Sequence, residues 1–398
     1  MRRVLIAIVL CAAAAPAAAQ PSPWEPGRTT AGWVFTPAIT FGGMWDSNVT
    51  LRNESNPQTS ELVGILSPRG SIDFNGRRAH FSAGYSGTLE AYNEISELTR
   101  YDQRGRVDAR YQMTPRLSFN TRETATFTPT TDQLELGGVP FTQVGSRMVD
   151  AFGGFSYDLT TRSKLIADYN FQWVDFDRDA AETSPDFARL QGGHSNSPTA
   201  EYRYQVSRRL DVGGVWAYRR TNIDGGEEIF DSQDVRGLVQ FAVGPATSIR
   251  GSAGFAHAVE RNTNATQSGP SYAAGIEYTA GRTLFEASYE RSFLPSFGFG
   301  TLSASQVFRT AVSSPIARGR MFAGSSFSWR RTEPAVERGS NITLNSYWWN
   351  STFGFHATRW LRTEAFVSIS HQASDAQGNF NRNRVGVQFV THKPMRIQ

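Results

Sequence analysis

The segment from Arg162 to Asp177 reads R-S-K-L-I-A-D-Y-N-F-Q-W-V-D-F-D and alternates between two classes of side chain. Every second position from Leu165 to Trp173 is apolar or aromatic, whereas most positions between them are polar or charged. A period of two residues indicates a β-strand with one apolar face and one polar face, not a helix. The same alternation recurs along almost the whole chain in segments of about ten residues, which is typical of a transmembrane β-barrel with lipid outside and water inside.

The beginning of the chain has the pattern of a secretory signal peptide. Arg2 and Arg3 precede a short apolar run, and Ala17-Ala18-Ala19 supplies small residues for cleavage before Gln20. The apolar run is too short to remain as a membrane helix. We therefore expect a signal peptide at 1–19, a mobile proline-rich lead-in at 20–31, a transmembrane barrel at 32–392 and a C-terminal tail at 393–398.

The composition excludes several other classes of protein. Cys11 is the only cysteine and lies within the signal peptide, so the mature chain has no thiol for a disulfide or a metal. No later segment approaches 18 consecutive apolar residues and the mean hydropathy is −0.40, which excludes a helical membrane protein. The formal charge is +4, but the arginines are spread along the chain, so nucleic-acid binding is not indicated.

Short turn signals recur at intervals of about 40 residues, the length of two strands and one longer loop. The eight signals are Asn75-Gly76-Arg77, Thr114-Pro115-Arg116, Thr160-Thr161-Arg162, Ser207-Arg208-Arg209, Gly244-Pro245-Ala246, Ala280-Gly281-Arg282, Arg318-Gly319-Arg320 and Thr358-Arg359-Trp360. Eight short turns separate nine strand pairs, so the sequence predicts an all-β, antiparallel outer-membrane barrel of 18 strands, with 16 as the alternative. Short turns are expected on the periplasmic side of such a barrel and longer loops outside.

Two features of this pattern leave alternatives open. The connections 130–146 and 178–196 are long enough to fold into the barrel as a constriction or to lie over its mouth as exposed lids. The alternation is weakest in 117–129, where Glu123 falls among the apolar positions, and in 301–310. A β-bulge in either strand would restore the alternation.

Charged residues within the strands are expected to face inward, because a charge on the lipid face at mid-membrane costs about 2–4 kcal/mol. The candidate lumen-facing residues are Arg106, Asp108, Arg110, Lys164, Asp168, Arg203, Arg236, Glu286, Arg362 and Glu364. Over all charged strand residues expected to face inward, eleven positive and ten negative side chains are nearly balanced, which predicts a solvated wall of mixed charge. A barrel of 18 strands is too wide for its own side chains to fill, so an aqueous channel is expected.

No motif for a catalytic, cofactor-binding or metal-binding site is present: the sequence has no G-x-S-x-G elbow, no P-loop and no H-E-x-x-H. We therefore predict no enzymatic activity, no cofactor and no metal. A serine and a histidine on the outer wall could still act on lipid without a local motif, and His257 and His356 lie within predicted strands. The expected surroundings of the barrel are outer-membrane lipid and lipopolysaccharide.

The opening strand and two of the turns carry a family resemblance. The strand G-W-V-F-T-P-A-I-T-F-G-G-M-W-D-S-N-V and the turns Y-D-L-T-T-R and Y-Q-V-S-R-R resemble the beta-barrel porin type 2 family, outer-membrane barrels associated with exopolysaccharide or capsule clusters. The resemblance implies 16–18 strands and a channel that conducts a polysaccharide polymer to the cell surface with a periplasmic polysaccharide export protein. The alternatives are a general diffusion porin for small solutes and an outer-membrane enzyme that modifies lipid or lipopolysaccharide.

Overall fold

The structure is a computed structural model that describes residues 32–95, 98–177, 190–224, 229–298, 301–335, 342–375 and 378–397. The predicted signal peptide and lead-in lie outside the described residues. The strands are β1 Gly32–Asp46, β2 Glu61–Asn75, β3 Ala79–Tyr92, β4 Arg100–Gln112, β5 Leu117–Thr128, β6 Ser146–Asp158, β7 Ser163–Phe176, β8 Gly193–Ser207, β9 Leu210–Ile223, β10 Ile229–Gly244, β11 Thr247–Glu260, β12 Ala265–Ala280, β13 Thr283–Ser296, β14 Thr301–Ile316, β15 Met321–Pro334, β16 Leu344–His356, β17 Leu361–Ser374, β18 Gly378–His392 and β19 Met395–Ile397. Two 3₁₀ turns occupy Thr131–Gln133 and Ala317–Gly319.

The first 18 strands close into one antiparallel barrel, each pairing with the next along the chain. Strand β18 pairs with β1 from Ala38↔His392 to Asp46↔Arg384, which removes both free edges of the sheet. The prediction of an 18-stranded barrel is therefore confirmed. The short strand β19 pairs with the beginning of β1, where Trp33 lies opposite Ile397, so the end of the chain continues the seam.

All eight predicted turns coincide with connections of two to four residues between strands. Three of these turns share one local device. The hydroxyl oxygens of Thr114, Thr160 and Thr358 each accept a hydrogen bond of 3.0 Å from the backbone N–H three residues later. A threonine at this position satisfies a backbone donor that the turn would otherwise leave unpaired, which is why the signal T-x-[RW] marks these reversals.

The two faces of the barrel differ in polarity, as β10 shows. On β10, Val235 is 59% exposed on the outside, whereas the side chains of Asp234 and Arg236 are 18% and 17% exposed on the inside. Exposed apolar and aromatic side chains continue around the outer wall. A closed barrel with an apolar outer wall satisfies all its backbone groups within lipid, so the protein lies in the outer membrane. In the described part of the chain no helix is long and apolar enough to cross a membrane.

Strands β5 and β14 contain no β-bulge, so the possibility that a bulge restores their alternation was wrong. Strand β5 pairs residue for residue with both neighbours, and Glu123 lies opposite Val107 and Ala151. Strand β14 is equally regular against β13 and β15 throughout 301–310. The alternation is irregular in 117–129 because Glu123 belongs to the outer face, where its side chain is exposed among apolar neighbours.

Candidate functional site: the lumen and its constriction

The strand register places the ten candidate lumen residues on one face of the sheet. Lys164 lies opposite Arg203 across β7 and β8, and Glu286 lies opposite Glu277 across β12 and β13. This face is the one opposite the exposed apolar side chains. The ten residues are Arg106, Asp108, Arg110, Lys164, Asp168, Arg203, Arg236, Glu286, Arg362 and Glu364. Their part in a permeation path stays a prediction.

Many charges of this inner wall are paired along their own strand. Residues two apart on a strand share a face, and Arg236 Nε lies 3.2 Å from Asp234 Oδ2 in this way. Arg362 Nε likewise lies 2.5 Å from Glu364 Oε1. Two further pairs follow the same spacing, Arg106 with Asp108 and Arg203 with Glu201. The wall therefore presents both charges at close range, as its balanced composition predicts.

Residues 129–145, which join β5 to β6, fold into the barrel. We call them the constriction loop. They contact inward side chains of β13, β15, β16, β17 and β18, which lie across the bore from β5 and β6. Of the two possibilities that the sequence left open for this connection, the structure shows the inward one. For the second connection, residues 178–189 lie outside the described residues.

A cluster of four charged side chains holds the constriction loop to the seam of the barrel. Arg382 on β18 donates to Asp46 Oδ2 at 2.7 Å and to Asp132 Oδ2 at 3.0 Å. Arg384 lies 3.3 Å from the Asp46 carboxylate and 3.5 Å from that of Asp132. We call Asp46, Asp132, Arg382 and Arg384 the charge cluster. The Arg382, Asp46 and Asp132 side chains are all at most 3% exposed, so each charge depends on the others.

The electrostatics of Asp132 follow from this arrangement. Burial by itself raises the pKa of the Asp132 carboxyl. The guanidinium groups of Arg382 and Arg384 outweigh that effect and hold the pKa below its usual range. Asp132 is therefore ionised at neutral pH, and the loop carries a fixed negative charge into the cluster.

Two further side chains bind the backbone of the loop. The Gln372 side-chain oxygen accepts a hydrogen bond of 2.8 Å from the Phe141 N–H, and its nitrogen donates to the Val139 carbonyl at 3.0 Å. Trp348 Nε1 donates to the Asp132 carbonyl at 2.8 Å, and its ring packs against Phe141. Gln372 satisfies a backbone donor and acceptor inside the barrel, where otherwise both would be unpaired.

The tip of the loop requires a glycine. Gly138 has a φ of +69°, and its carbonyl accepts a hydrogen bond of 3.2 Å from Ser296 Oγ. A Cβ at this position would lie 1.6 Å from that hydroxyl oxygen. Arg330 on β15 donates to the carbonyl of Glu135. Only a residue without a side chain can adopt this conformation and approach the wall so closely.

The other side of the loop packs on an apolar part of the inner wall. Leu134, Val139 and Val144 belong to a buried cluster with side chains from β7, β9, β10, β11, β13 and β14. The wall residues of this cluster are Val174, Phe176, Ile223, Phe230, Ala256, Ala258, Phe293 and Leu302, joined by Leu190 and Phe297 from the connections. The constriction loop is thus held by charges on one side and by apolar packing on the other.

Two cavities beside the loop have charged side chains in their lining. One cavity of about 200 Å³ is lined by Asp132, Glu135, Arg382 and Arg384 among others. A second, of about 390 Å³, is lined by Glu135, Arg250, Glu277, Glu286 and Arg309 among others. A larger concavity of about 1400 Å³ lies on the apolar outer wall and is not part of the lumen.

Sequence reasoning missed the residues that position the loop, although one signal was present. Asp46 and Asn48 belong to the W-D-S-N-V end of the opening strand, on which the family resemblance rests. Asp46 pairs with Arg382, and the Asn48 amide donates to the Asn381 carbonyl at 3.0 Å. Arg382, Trp348 and Gln372 gave no such signal, because their partners lie far away in the sequence.

The two strand histidines that could serve a lipid-acting enzyme have different surroundings. His257 Nδ1 lies 2.6 Å from Ser268 Oγ on the outer face. Within the described ranges no third group is hydrogen-bonded to the His257 ring to orient it. His356 faces inward beside Phe322 and Arg362. Across the same ranges no three histidine, cysteine or acidic side chains form a group that could hold a metal.

No family model and no curated protein matches the sequence. Among solved structures, OccAB4 of Acinetobacter baumannii is 9% identical with a TM-score of 0.45, covering 93% of this chain and 100% of that chain. OpdQ of Pseudomonas aeruginosa is 8% identical with a TM-score of 0.43, covering 92% and 98%. The outer-membrane protein OpdK of the same organism is 9% identical with a TM-score of 0.43, covering 90% and 99%. At this level of similarity these proteins say nothing about the solute of this chain.

Proposed function

We propose that this outer-membrane barrel is a diffusion porin for small polar solutes. The observation that carries the proposal is the constriction loop, which crosses the bore and is fixed on both sides. A solute must pass the spaces beside the loop, and these are lined by charged and hydroxyl groups. Hydrated molecules of a few hundred daltons suit such spaces, because charged and hydroxyl groups can replace part of their hydration.

The attachment of the loop favours a small solute over a polymer. A polysaccharide chain in transit needs an open bore along its whole length. Removing the loop from the bore would break the Arg382–Asp132 pair and both hydrogen bonds of Gln372. Leaving buried charges without partners costs several kcal/mol, so a closed loop is the stable state. The family resemblance supports polysaccharide export, and that function would require a partner that displaces the loop.

The mixed charge of the wall defines the expected selectivity. The i,i+2 pairs on β4, β8, β10 and β17 place opposite charges within a few ångströms of each other. Paired charges produce little net potential at longer range. We therefore expect weak discrimination between cations and anions and a size limit set by the constriction loop.

Vesicle swelling with sugars of increasing length tests the proposal. The wild-type protein should admit mono- and disaccharides and exclude longer oligosaccharides. A variant in which 133–140 is replaced by two glycines should admit the longer ones and conduct several times more current, because the bore is then open. The matched control replaces 55–57, exposed residues of another loop at the same end, by two glycines and should behave as wild type.

Two results would contradict a small-solute porin. One is equal uptake of long and short sugars by the wild-type protein. The other is a strain lacking the gene in which surface polysaccharide disappears while its precursors accumulate inside, with recovery on complementation. The second result would establish the export function.

A further inference from the structure

The eight short turns form a rim of unusual composition. The connections between β2 and β3, β4 and β5, and so on to β16 and β17 contain ten arginines and no acidic residue. The ten are Arg77, Arg78, Arg116, Arg162, Arg208, Arg209, Arg282, Arg318, Arg320 and Arg359. Seven of the eight turns carry at least one, so the positive charge surrounds the barrel. We call these ten residues the arginine rim.

The opposite end of the barrel has the opposite charge. In the amino-acid sequence, the nine longer connections contain 14 acidic and five basic residues. A bias in the use of arginine over the whole chain would affect both ends equally. The arginine rim is therefore a property of one end and not of the composition.

The arginines of the rim are exposed and have no ion-pair partner among the described residues. All ten are exposed to solvent. None of them forms an ion pair with another described residue, whereas Arg106, Arg203 and Arg236 on the inner wall all do. Arg359 lies 5.3 Å over the ring of Trp360, the aromatic residue that follows it. Ten unpaired guanidinium groups around one rim repel one another unless anions bind between them.

The rim lies next to a band of outward aromatic side chains. Tyr111, Tyr157, Tyr204, Tyr278 and Phe355 are exposed on the outer wall within a few residues of the turns. Tyrosine and tryptophan on the outside of a barrel lie at the level of the lipid headgroups. This height puts the turn arginines beside the phosphate groups of the leaflet that surrounds them.

We propose that the arginine rim binds the phosphate headgroups of anionic phospholipids around the whole circumference of the barrel. A guanidinium group donates two parallel hydrogen bonds to a phosphate, which lysine cannot do. The distribution favours lipid over a docked protein, because lipid contacts the barrel from every side. Since short turns are expected on the periplasmic side, the lipids are those of the inner leaflet.

Native mass spectrometry of the detergent-purified protein tests this binding. The probe is an equimolar mixture of phosphatidylglycerol and phosphatidylcholine with identical acyl chains. The wild-type protein should retain several times more phosphatidylglycerol, and added salt should reduce the difference. The variant R77Q/R78Q/R208Q/R209Q should lose this preference by roughly fivefold or more. Heat-modifiable migration on a gel shows that the variant is folded.

The control variant R52Q/R147Q/R261Q/R331Q removes the same charge from exposed arginines near the opposite end and should keep the wild-type preference. Equal retention of the two lipids by the wild type would overturn the proposal, as would an equal loss in the control. Displacement of phosphatidylglycerol by glycerol phosphate at the same concentration would show a site for free phosphate and overturn it too. A change of ion selectivity in the rim variant, without a change in lipid retention, would assign the rim to solutes instead.

Discussion

Two charged side chains on the barrel strands differ in their surroundings, since one is buried among charged partners and the other is exposed on the outer wall. Arg382, on the inner wall, is 1% exposed and contacts Asp46 and Asp132. Glu123, on the outer wall, lies between Val107 and Ala151. The Glu123 carboxylate has no ion pair or hydrogen bond with any described residue.

The difference shows what each face of a barrel can supply to a charge. The inner wall is enclosed, so a loop from one side can bring a carboxylate to an arginine on the other. The outer wall is convex and faces lipid, and none of the segments that the structure describes reaches over Glu123. A charge out of water is stable only with partners, so the inner wall tolerates many charges and the outer wall few.

Replacing Arg382 by methionine should have the largest effect. The variant leaves the Asp46 and Asp132 carboxylates buried without their main partner, which costs about 3–5 kcal/mol. Unfolding by urea in lipid vesicles should show this loss of stability. Single-channel recording should show a larger and noisier current, because the constriction loop loses its strongest attachment.

A quadruple variant checks that the loss comes from unpaired charge. Arg382→Met and Arg384→Met combined with Asp46→Leu and Asp132→Leu remove the whole charge cluster, and apolar residues of similar volume often replace such groups without loss. Stability should therefore recover in large part. If Arg382→Met alone changes neither the urea midpoint nor the current, the charge cluster does not hold the loop.

Acid should loosen the same attachment without a mutation. The pKa of Asp132 is held below its ordinary value by Arg382 and Arg384, against the effect of burial. A carboxyl with a lowered pKa contributes its stability above its unfolded-state pKa, near 4, and loses it as the pH falls through the folded value. The current should therefore be constant from pH 7 to about 5 and rise below about 4. An Asp132→Asn variant should show the acid behaviour at neutral pH and little further change on acidification.

Most of the barrel followed from local pattern. The two-residue alternation in 162–177 predicts β7, and the eight turn signals predict the number of strands. Both predictions succeed because the residues of a strand determine which of its faces is apolar. Glu123 shows the limit of this reasoning. The rule that charges face inward suggested that a bulge could occur near Glu123, whereas continuous pairing with β4 and β6 keeps Glu123 on the outer face.

The constriction could not be predicted in the same way. Phe141 and its partner Gln372 are 231 positions apart in the sequence. The inward path of the loop depends on five wall strands at once, and no single segment carries that information. The sequence identified which loop was long enough. The contacts of this loop with the wall strands make it a constriction and not a lid.

Replacing Glu123 by leucine should stabilise the protein, a rare result for a single substitution. A carboxylate on the lipid face costs less than the 2–4 kcal/mol of a basic residue at mid-membrane, so we expect a gain of about 1–2 kcal/mol. The matched control is Glu364→Leu on the inner wall, where the side chain pairs with Arg362 and accepts a hydrogen bond from Gln388. The control should lose stability in the same urea titration. A loss in both variants would mean that Glu123 has a partner outside the chain.

Replacing Lys164 by glutamine should have the smallest effect. Lys164 Nζ lies 3.4 Å from Asp158 Oδ1, and both side chains are 45% exposed. Water and salt screen such a pair, so its loss should change the free energy of unfolding by less than about 0.5 kcal/mol. The single-channel current should stay at the wild-type level. This result would place the wall near the short turns in bulk-like water, unlike the charge cluster. A loss as large as that of Arg382→Met would instead mean that this part of the wall is shielded from water as the charge cluster is.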